Sequence, residues 1–171
     1  MTLLFMGDSL IEYFNWQEGF PGHTVVNFGL AGESVEGLLS RVPRVKKACP
    51  QADAVFIMSG INNIAMGDED FVDSYRSILD QLSYFYPDAS IFIHSLLPTD
   101  TMFIANDSVR RANDRLRKLA EETEVNYLDL HARFVDGRGK PVAEYLSPDG
   151  VHLSRQGYEA WLSFLKELSF Y

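Results

Sequence analysis

The stretch Leu3-Leu4-Phe5-Met6-Gly7-Asp8-Ser9-Leu10 begins with four consecutive apolar residues and then turns into glycine and two polar residues. An apolar run that ends in this way is typical of a buried strand leading into a tight loop. Similar short runs of apolar, β-branched or aromatic residues recur along the chain, at Thr24–Asn27, Ala54–Met58, Ser90–Ser95 and Val125–Leu128. They predict five strands of a parallel sheet that is covered on both faces.

Segments with helical periodicity lie between and after these strands. Apolar residues recur every three or four positions from Phe71 to Phe85, from Val109 to Leu119 and from Tyr158 to Leu168. Ser34 to Ala48 also has a helical pattern, but Pro43 predicts a kink or break, because proline lacks the N–H and crowds the preceding turn. The alternation predicts an α/β fold, a three-layer α/β/α sandwich with right-handed crossovers. We expect a flavodoxin-like, five-stranded parallel sheet of order 2-1-3-4-5.

Length and composition predict a single domain spanning residues 1–171, because 171 residues with 46% hydrophobic content suffice for one core. The net charge is −9, from 24 acidic and 15 basic residues. The basic residues are scattered among acidic ones, which argues against nucleic acid as a partner. Cys49 is the only cysteine and forms no internal disulfide. The first apolar run is too short for a signal peptide and no other stretch predicts a membrane span, so we expect a cytoplasmic protein.

Cofactor and metal sites are not indicated. His23, His94 and His131 are dispersed and lack the spacing of metal ligands, so we expect no metal. A flavodoxin-like sheet also admits a non-catalytic module that binds a nucleotide or flavin. Neither Gly-x-Gly-x-x-Gly nor Gly-x-x-x-x-Gly-Lys-Ser/Thr occurs, which disfavours that alternative, and we expect no cofactor.

A serine near the start of the chain and a loop near its end carry the residue types of nucleophilic catalysis. Ser9 follows the first strand, and Asp149 and His152 lie in Ser147-Pro148-Asp149-Gly150-Val151-His152. Acyl transfer by serine needs a base and a carboxylate that orients the base. We predict Ser9 as nucleophile, His152 as base and Asp149 as the orienting carboxylate. Alternatively, Asp149 only shapes the turn by accepting from backbone N–H groups around Gly150.

Donors for an oxyanion follow two further strands. Gly32 ends the stretch Asn27-Phe28-Gly29-Leu30-Ala31-Gly32, where glycine lets the backbone N–H approach closely. Asn62 lies in Ser59-Gly60-Ile61-Asn62 and offers its side-chain amide. With strand order 2-1-3, these segments meet the Ser9 loop at one carboxyl edge. The sequence therefore predicts an oxyanion hole made by the Ser9 N–H, the Gly32 N–H and the Asn62 amide.

These residues make the chain resemble the SGNH hydrolases, the GDSL-type esterases and lipases, named after the Ser, Gly, Asn and His of four sequence blocks. The four blocks appear in order as Gly7-Asp8-Ser9-Leu10, Gly32, Gly60-Ile61-Asn62 and Asp149-Gly150-Val151-His152. Asn113 to Leu116, Asp136-Gly137 and Gly157-Tyr158 further resemble the branch of platelet-activating-factor acetylhydrolase-like enzymes and carbohydrate acetylesterases. One departure is Asn63, where the third block of the family usually has aspartate. The resemblance implies a metal-free serine esterase.

The substrate is predicted more coarsely, as a small-molecule ester. We expect Asp8, Trp16, Asn63, Met66 and Phe103 to contact it. A compact chain without a large inserted lid favours short acyl groups such as acetyl, on a carbohydrate or another small molecule. A lysophospholipase or thioesterase with the same machinery is the alternative. Oligomeric state is not indicated by the sequence.

Overall fold

The computed structural model describes residues 1–168 of the chain. Its sheet has five parallel strands in the order β2-β1-β3-β4-β5, as predicted. The strands are β1 (Thr2–Gly7), β2 (Thr24–Gly29), β3 (Ala54–Met58), β4 (Ser90–His94) and β5 (Asn126–Leu128). Gly7 is in register with Gly29 of β2 and with Met58 of β3. The three strands therefore end at the same level, and the loops that follow them start side by side.

Seven α-helices accompany the sheet within these residues. They are α1 (Ser9–Glu12), α2 (Trp16–Gly19), α3 (Val35–Ala48), α4 (Ile61–Ala65), α5 (Val72–Phe85), α6 (Asn106–Glu122) and α7 (Arg155–Glu167). The chain moves from β1 to β2 in one direction across the sheet and through β3, β4 and β5 in the other. Right-handed crossovers thus place α1 and α2 on one face and α3, α5 and α6 on the opposite face. Helix α7 joins α2, which completes the predicted three layers.

Of the kink or break predicted at Pro43, the break does not occur, because α3 is one continuous helix through this residue. It begins after Ser34, whose hydroxyl accepts from the Gly37 N–H, and continues to Ala48. Proline removes only one backbone donor, whereas Leu38, Val42 and Val45 hold the apolar face of the helix in the core. Tertiary packing thus outweighs the local effect of proline. No helix within residues 1–168 has both the length and the apolar character needed to cross a bilayer.

Trp16 is part of the core and does not bind substrate, contrary to the prediction. Its side chain is 1% exposed, stacks on Phe5 of β1 at 4.5 Å between ring centroids, and meets Trp161 of α7 edge-on at 4.8 Å. The indole N–H donates to the Ile11 carbonyl at 2.9 Å. A large aromatic ring with a satisfied N–H is well suited to such burial. Trp16 therefore packs the segment that follows Ser9 in the sequence against the sheet.

Replacing Trp16 with alanine should lower the free energy of unfolding by about 3–5 kcal/mol, because it opens a large cavity under the sheet. Urea denaturation monitored by circular dichroism measures this. Phe103→Ala is the matched control, because that ring is 81% exposed and its removal should change stability by less than about 0.5 kcal/mol. Equal stabilities of the two variants would contradict the placement of Trp16.

Candidate active site

Ser9 lies at the start of α1, immediately beyond β1. Asp8 is the N-cap of this helix, and its Oδ1 accepts from the Leu10 N–H at 3.0 Å. From the opposite side, the Tyr158 hydroxyl of α7 donates to the Leu10 carbonyl at 3.0 Å. The Ser9 N–H is in the first turn, where backbone donors have no partner within the helix. The two hydrogen bonds on Leu10 thus hold the start of α1 in place, and the Ser9 N–H can donate to an acceptor outside the helix.

Asp8 is fully buried and does not contact substrate, contrary to the prediction. Within residues 1–168 its second carboxylate oxygen, Oδ2, has no hydrogen-bond partner. Burial raises the pKa of this carboxyl from the ordinary 3.8 to about 7, although the Leu10 N–H opposes the shift. The side chain caps the helix beneath Ser9 instead of facing the solvent.

The loop from Ser147 to His152 brings the predicted carboxylate and imidazole together. Asp149 Oδ2 lies 2.7 Å from His152 Nδ1. Asp149 Oδ1 also accepts from the backbone N–H groups of Val151 and His152, each at 2.9 Å. The Val151 N–H is the largest of the contributions that lower the pKa of this carboxyl to about 2. Asp149 is therefore ionised at neutral pH, and it both shapes the turn and contacts the imidazole.

The other nitrogen of the imidazole faces the serine. His152 Nε2 is 3.0 Å from Ser9 Oγ, although 143 positions separate the two residues in the sequence. With Nδ1 protonated toward Asp149, Nε2 accepts the hydroxyl hydrogen of Ser9. Tyr13 lies beside the ring, with its centroid 5.4 Å from that of the imidazole. This geometry suits proton transfer from a serine hydroxyl to a histidine.

Gly150 anchors this loop to the segment that follows β4. Its φ of +72° is in the left-handed region, and a Cβ at this position would lie 2.1 Å from the Asp100 carbonyl oxygen. The Asp100 N–H in turn donates to the Gly150 carbonyl at 2.7 Å. Only glycine permits both the backbone angle and the close approach. The position of His152 thus depends on this contact.

The predicted oxyanion donors lie at the same edge of the sheet. Gly32 is exposed with φ of +76°, and no acceptor within residues 1–168 takes up its N–H. The Asn62 amide donates to the Glu33 carbonyl at 3.0 Å, which leaves its second N–H for another acceptor. The Leu30 N–H donates to the Gly7 carbonyl at 2.9 Å, so the Gly32 loop lies directly beside the Ser9 loop.

Asn63 is buried and links α4 to α3. It therefore does not face the cleft, contrary to the prediction of a substrate contact. Its Oδ1 accepts from the Val35 N–H at the start of α3 at 2.9 Å, and its Nδ2 donates to Glu36 and Asp68. An aspartate in this position could accept from Val35 but could not donate to the two carboxylates. The amide therefore suits its acidic surroundings.

A shallow cleft is lined by the imidazole of His152 on one side and by Asn62 on the other. Phe103 lines it, whereas Met66 is exposed just beyond the lining residue Ala65. Ile61, Ala65 and Val151 were not assigned to the site from the sequence, although Ile61 and Ala65 are four residues apart and share one face of α4. The lining residues are Ile61, Asn62, Ala65, Thr101, Phe103, Ile104, Asp149, Val151 and His152.

Comparison with known proteins agrees with this arrangement. Residues 5–160 match the sequence profile of the GDSL-like lipase/acylhydrolase family. The chain belongs to this family. It is therefore a serine ester hydrolase, and the alternative of a non-catalytic nucleotide- or flavin-binding module is wrong. The resemblance seen in the four sequence blocks is confirmed.

Individual relatives show how far the similarity extends. The alpha1 subunit of platelet-activating factor acetylhydrolase IB from Bos taurus is 27% identical over 162 residues, which are 91% of this chain and 69% of that protein. A Streptococcus pneumonia structure described as a platelet activating factor has a TM-score of 0.88 at 26% identity, covering 99% of this chain and 83% of that one. An acetyl xylan esterase from Geobacillus stearothermophilus shares the fold, with a TM-score of 0.79, 20% identity and coverage of 99% and 94%.

The Asp8 carboxyl should make the stability of this family member depend on pH. Because the pKa of this carboxyl is higher in the folded than in the unfolded protein, its protonation stabilises the fold at low pH. This stabilisation is lost as pH rises from about 4 to about 7. Asn also caps helices well but does not ionise. The free energy of unfolding of Asp8→Asn, relative to the parent, should therefore increase across this window by up to about 4 kcal/mol. Urea denaturation at several pH values measures it, and parallel pH profiles would contradict it.

Gly150→Ala should move the loop that carries His152. A side chain in the left-handed region costs about 1–2 kcal/mol, and the clash with Asp100 adds to that. We expect kcat to fall at least about tenfold, because a small misplacement of reacting groups is costly. Gly139→Ala is the control, with φ of +74° and no atom within 4 Å of the new Cβ. It should lose stability without losing kcat, and equal rates for both variants would contradict the account.

Proposed function

We propose that this ester hydrolase removes short acyl groups, acetyl in particular, from a carbohydrate or another small molecule. The main support is the hydrogen-bonded chain from Asp149 through His152 to Ser9, next to an apolar cleft. Its two contacts are Asp149 Oδ2 to His152 Nδ1 at 2.7 Å and His152 Nε2 to Ser9 Oγ at 3.0 Å. Reaction proceeds through an acyl-enzyme on Ser9 and uses no metal or cofactor.

In the first half of the reaction, Ser9 Oγ attacks the ester carbonyl carbon while His152 Nε2 takes the hydroxyl proton. The Asp149 carboxylate holds the Nδ1–H and stabilises the imidazolium that forms. The carbonyl oxygen becomes an oxyanion, which the Ser9 N–H, the Gly32 N–H and the Asn62 amide bind. When the bond to the alcohol breaks, His152 gives its proton to the departing oxygen.

In the second half, water replaces the alcohol. His152 takes a proton from the water as its oxygen attacks the acyl carbonyl, and the same donors bind the new oxyanion. Collapse releases the carboxylic acid and returns the proton to Ser9 Oγ. In each half, Nε2 takes up one proton and then gives it away, which suits a base held by the ionised Asp149.

The short acyl preference rests on the shape of the cleft and on the relatives. Ile61, Ala65 and Val151 form apolar walls close to His152, whereas Phe103 at the rim is largely exposed. We expect an acetyl group to pack against those walls, whereas a long chain would extend past them over the exposed rim. Two relatives carry acetyl in their names, one an acetylhydrolase and the other an acetyl xylan esterase.

Hydrolysis of p-nitrophenyl acetate, butyrate and octanoate tests both parts of the proposal. We expect kcat/KM to fall with chain length, and Ser9→Ala to lose at least about a thousandfold, because triad residues act as a unit. Ser40→Ala is the matched control, since this serine is exposed on α3 and its hydroxyl donates to the Gly37 carbonyl.

A preference for octanoate, with good turnover of lysophospholipids or acyl thioesters, would contradict the acetyl preference and favour the lysophospholipase or thioesterase alternative. Acetylated xylo-oligosaccharides should then be poor substrates. Full activity of a folded Ser9→Ala protein would remove Ser9 from the reaction.

A further inference from the structure

Arg41 and Glu33 form a largely buried ion pair that contacts the segments carrying the proposed oxyanion donors. Arg41 Nε and Nη2 donate to the two carboxylate oxygens of Glu33, each at 2.6 Å, and the side chains are only 16% and 6% exposed. Nothing in the proposed reaction uses either charge. A two-pronged contact of this kind fixes direction as well as distance, because the guanidinium is planar.

The same guanidinium contacts the ends of two neighbouring strands. Arg41 Nη2 donates to the Phe28 carbonyl of β2 at 2.7 Å and lies 3.4 Å from the Gly7 carbonyl of β1. The loop after β2 leads to Gly32, and the residues after Gly7 lead to Ser9. The Arg41 guanidinium thus contacts the points from which the Ser9 segment and the Gly32 segment begin.

Glu33 connects the pair to the third donor. Its backbone carbonyl accepts from the Asn62 amide at 3.0 Å, so the orientation of that amide depends on where Glu33 lies. Glu33 also follows Gly32 directly, and its carboxylate is held by Arg41. Gly37 leaves room for this side chain, because a Cβ there would lie 2.8 Å from Glu33 Cγ.

From these contacts we infer that Arg41, acting through Glu33, is a positioning residue that sets the mutual geometry of the Ser9, Gly32 and Asn62 donors. The inference rests on the proposed function. An oxyanion hole works only if its donors already point at the place where charge develops. A buried ion pair contributes little net stability, but it can specify one arrangement of the segments it joins.

The test uses Arg41→Met, Arg41→Lys and the double variant Arg41→Met/Glu33→Gln. Each is compared with the parent in kcat and KM for p-nitrophenyl acetate, in the rate of Ser9 labelling by a p-nitrophenyl phosphonate, and in thermal unfolding. We expect Arg41→Met to lower kcat between about tenfold and a hundredfold with KM changed less than about twofold, because the donors act mainly in the transition state. Arg41→Lys should recover part of kcat, since it keeps the charge without the planar fork.

The double variant separates positioning from stability. It leaves no buried charge unpaired, so its thermal unfolding should return toward that of the parent while kcat and the labelling rate stay low. Gly37→Ala adds a milder test, since it displaces Glu33 without removing a charge. It should lower kcat several-fold, although alanine favours a helix more than glycine does.

Arg155→Met is the control, because Arg155 forms an exposed pair with Glu159 on α7, and all rates should stay unchanged. A double variant with parental kcat and parental labelling would overturn the inference while leaving the proposed function intact. If the parent itself showed neither Ser9-dependent turnover nor labelling, the proposed function would fail, and with it the need for a positioned oxyanion hole.

Discussion

The structure depends on one constraint, the common level at which β1, β2 and β3 end. Parallel pairing places Gly7 beside Gly29 and Met58, so the three following loops start from adjacent points. Residues far apart in the chain, Ser9, Gly32 and Asn62, are thereby gathered at one edge of the sheet. In open α/β sheets the carboxyl edge next to a reversal of strand order is where ligands bind. Here the reversal lies at β1, which leads into Ser9, the proposed nucleophile.

Much of this could be predicted from the sequence, because the signals are local. Each apolar run that ends in glycine or a polar residue marks a strand end, and the order 2-1-3-4-5 then brings the four blocks together. The turn around Asp149 could also be anticipated from its Pro and Gly neighbours. Asp149 contacts both the imidazole and two backbone N–H groups, so it does more than shape the turn.

The remaining residues could not be assigned from local pattern, because burial is a property of the assembled layers. Trp16 lies beyond Ser9 in sequence, but α7 covers it, so an aromatic residue near the nucleophile becomes core. Asp8 and Asn63 are polar but buried, because Asp8 caps α1 and Asn63 links α4 to the start of α3. The Arg41 side chain reaches three segments at once, and no spacing in the sequence reveals that contact.

A crystal structure of the protein labelled on Ser9 by a phosphonate would show whether the sheet edge holds three preorganised donors around Ser9. We expect the phosphoryl oxygen to lie about 2.7–3.1 Å from the N–H groups of Ser9 and Gly32 and from the Asn62 amide, with His152 still beside Ser9 Oγ. A phosphoryl oxygen that points into solvent, or one bound by other donors, would contradict it.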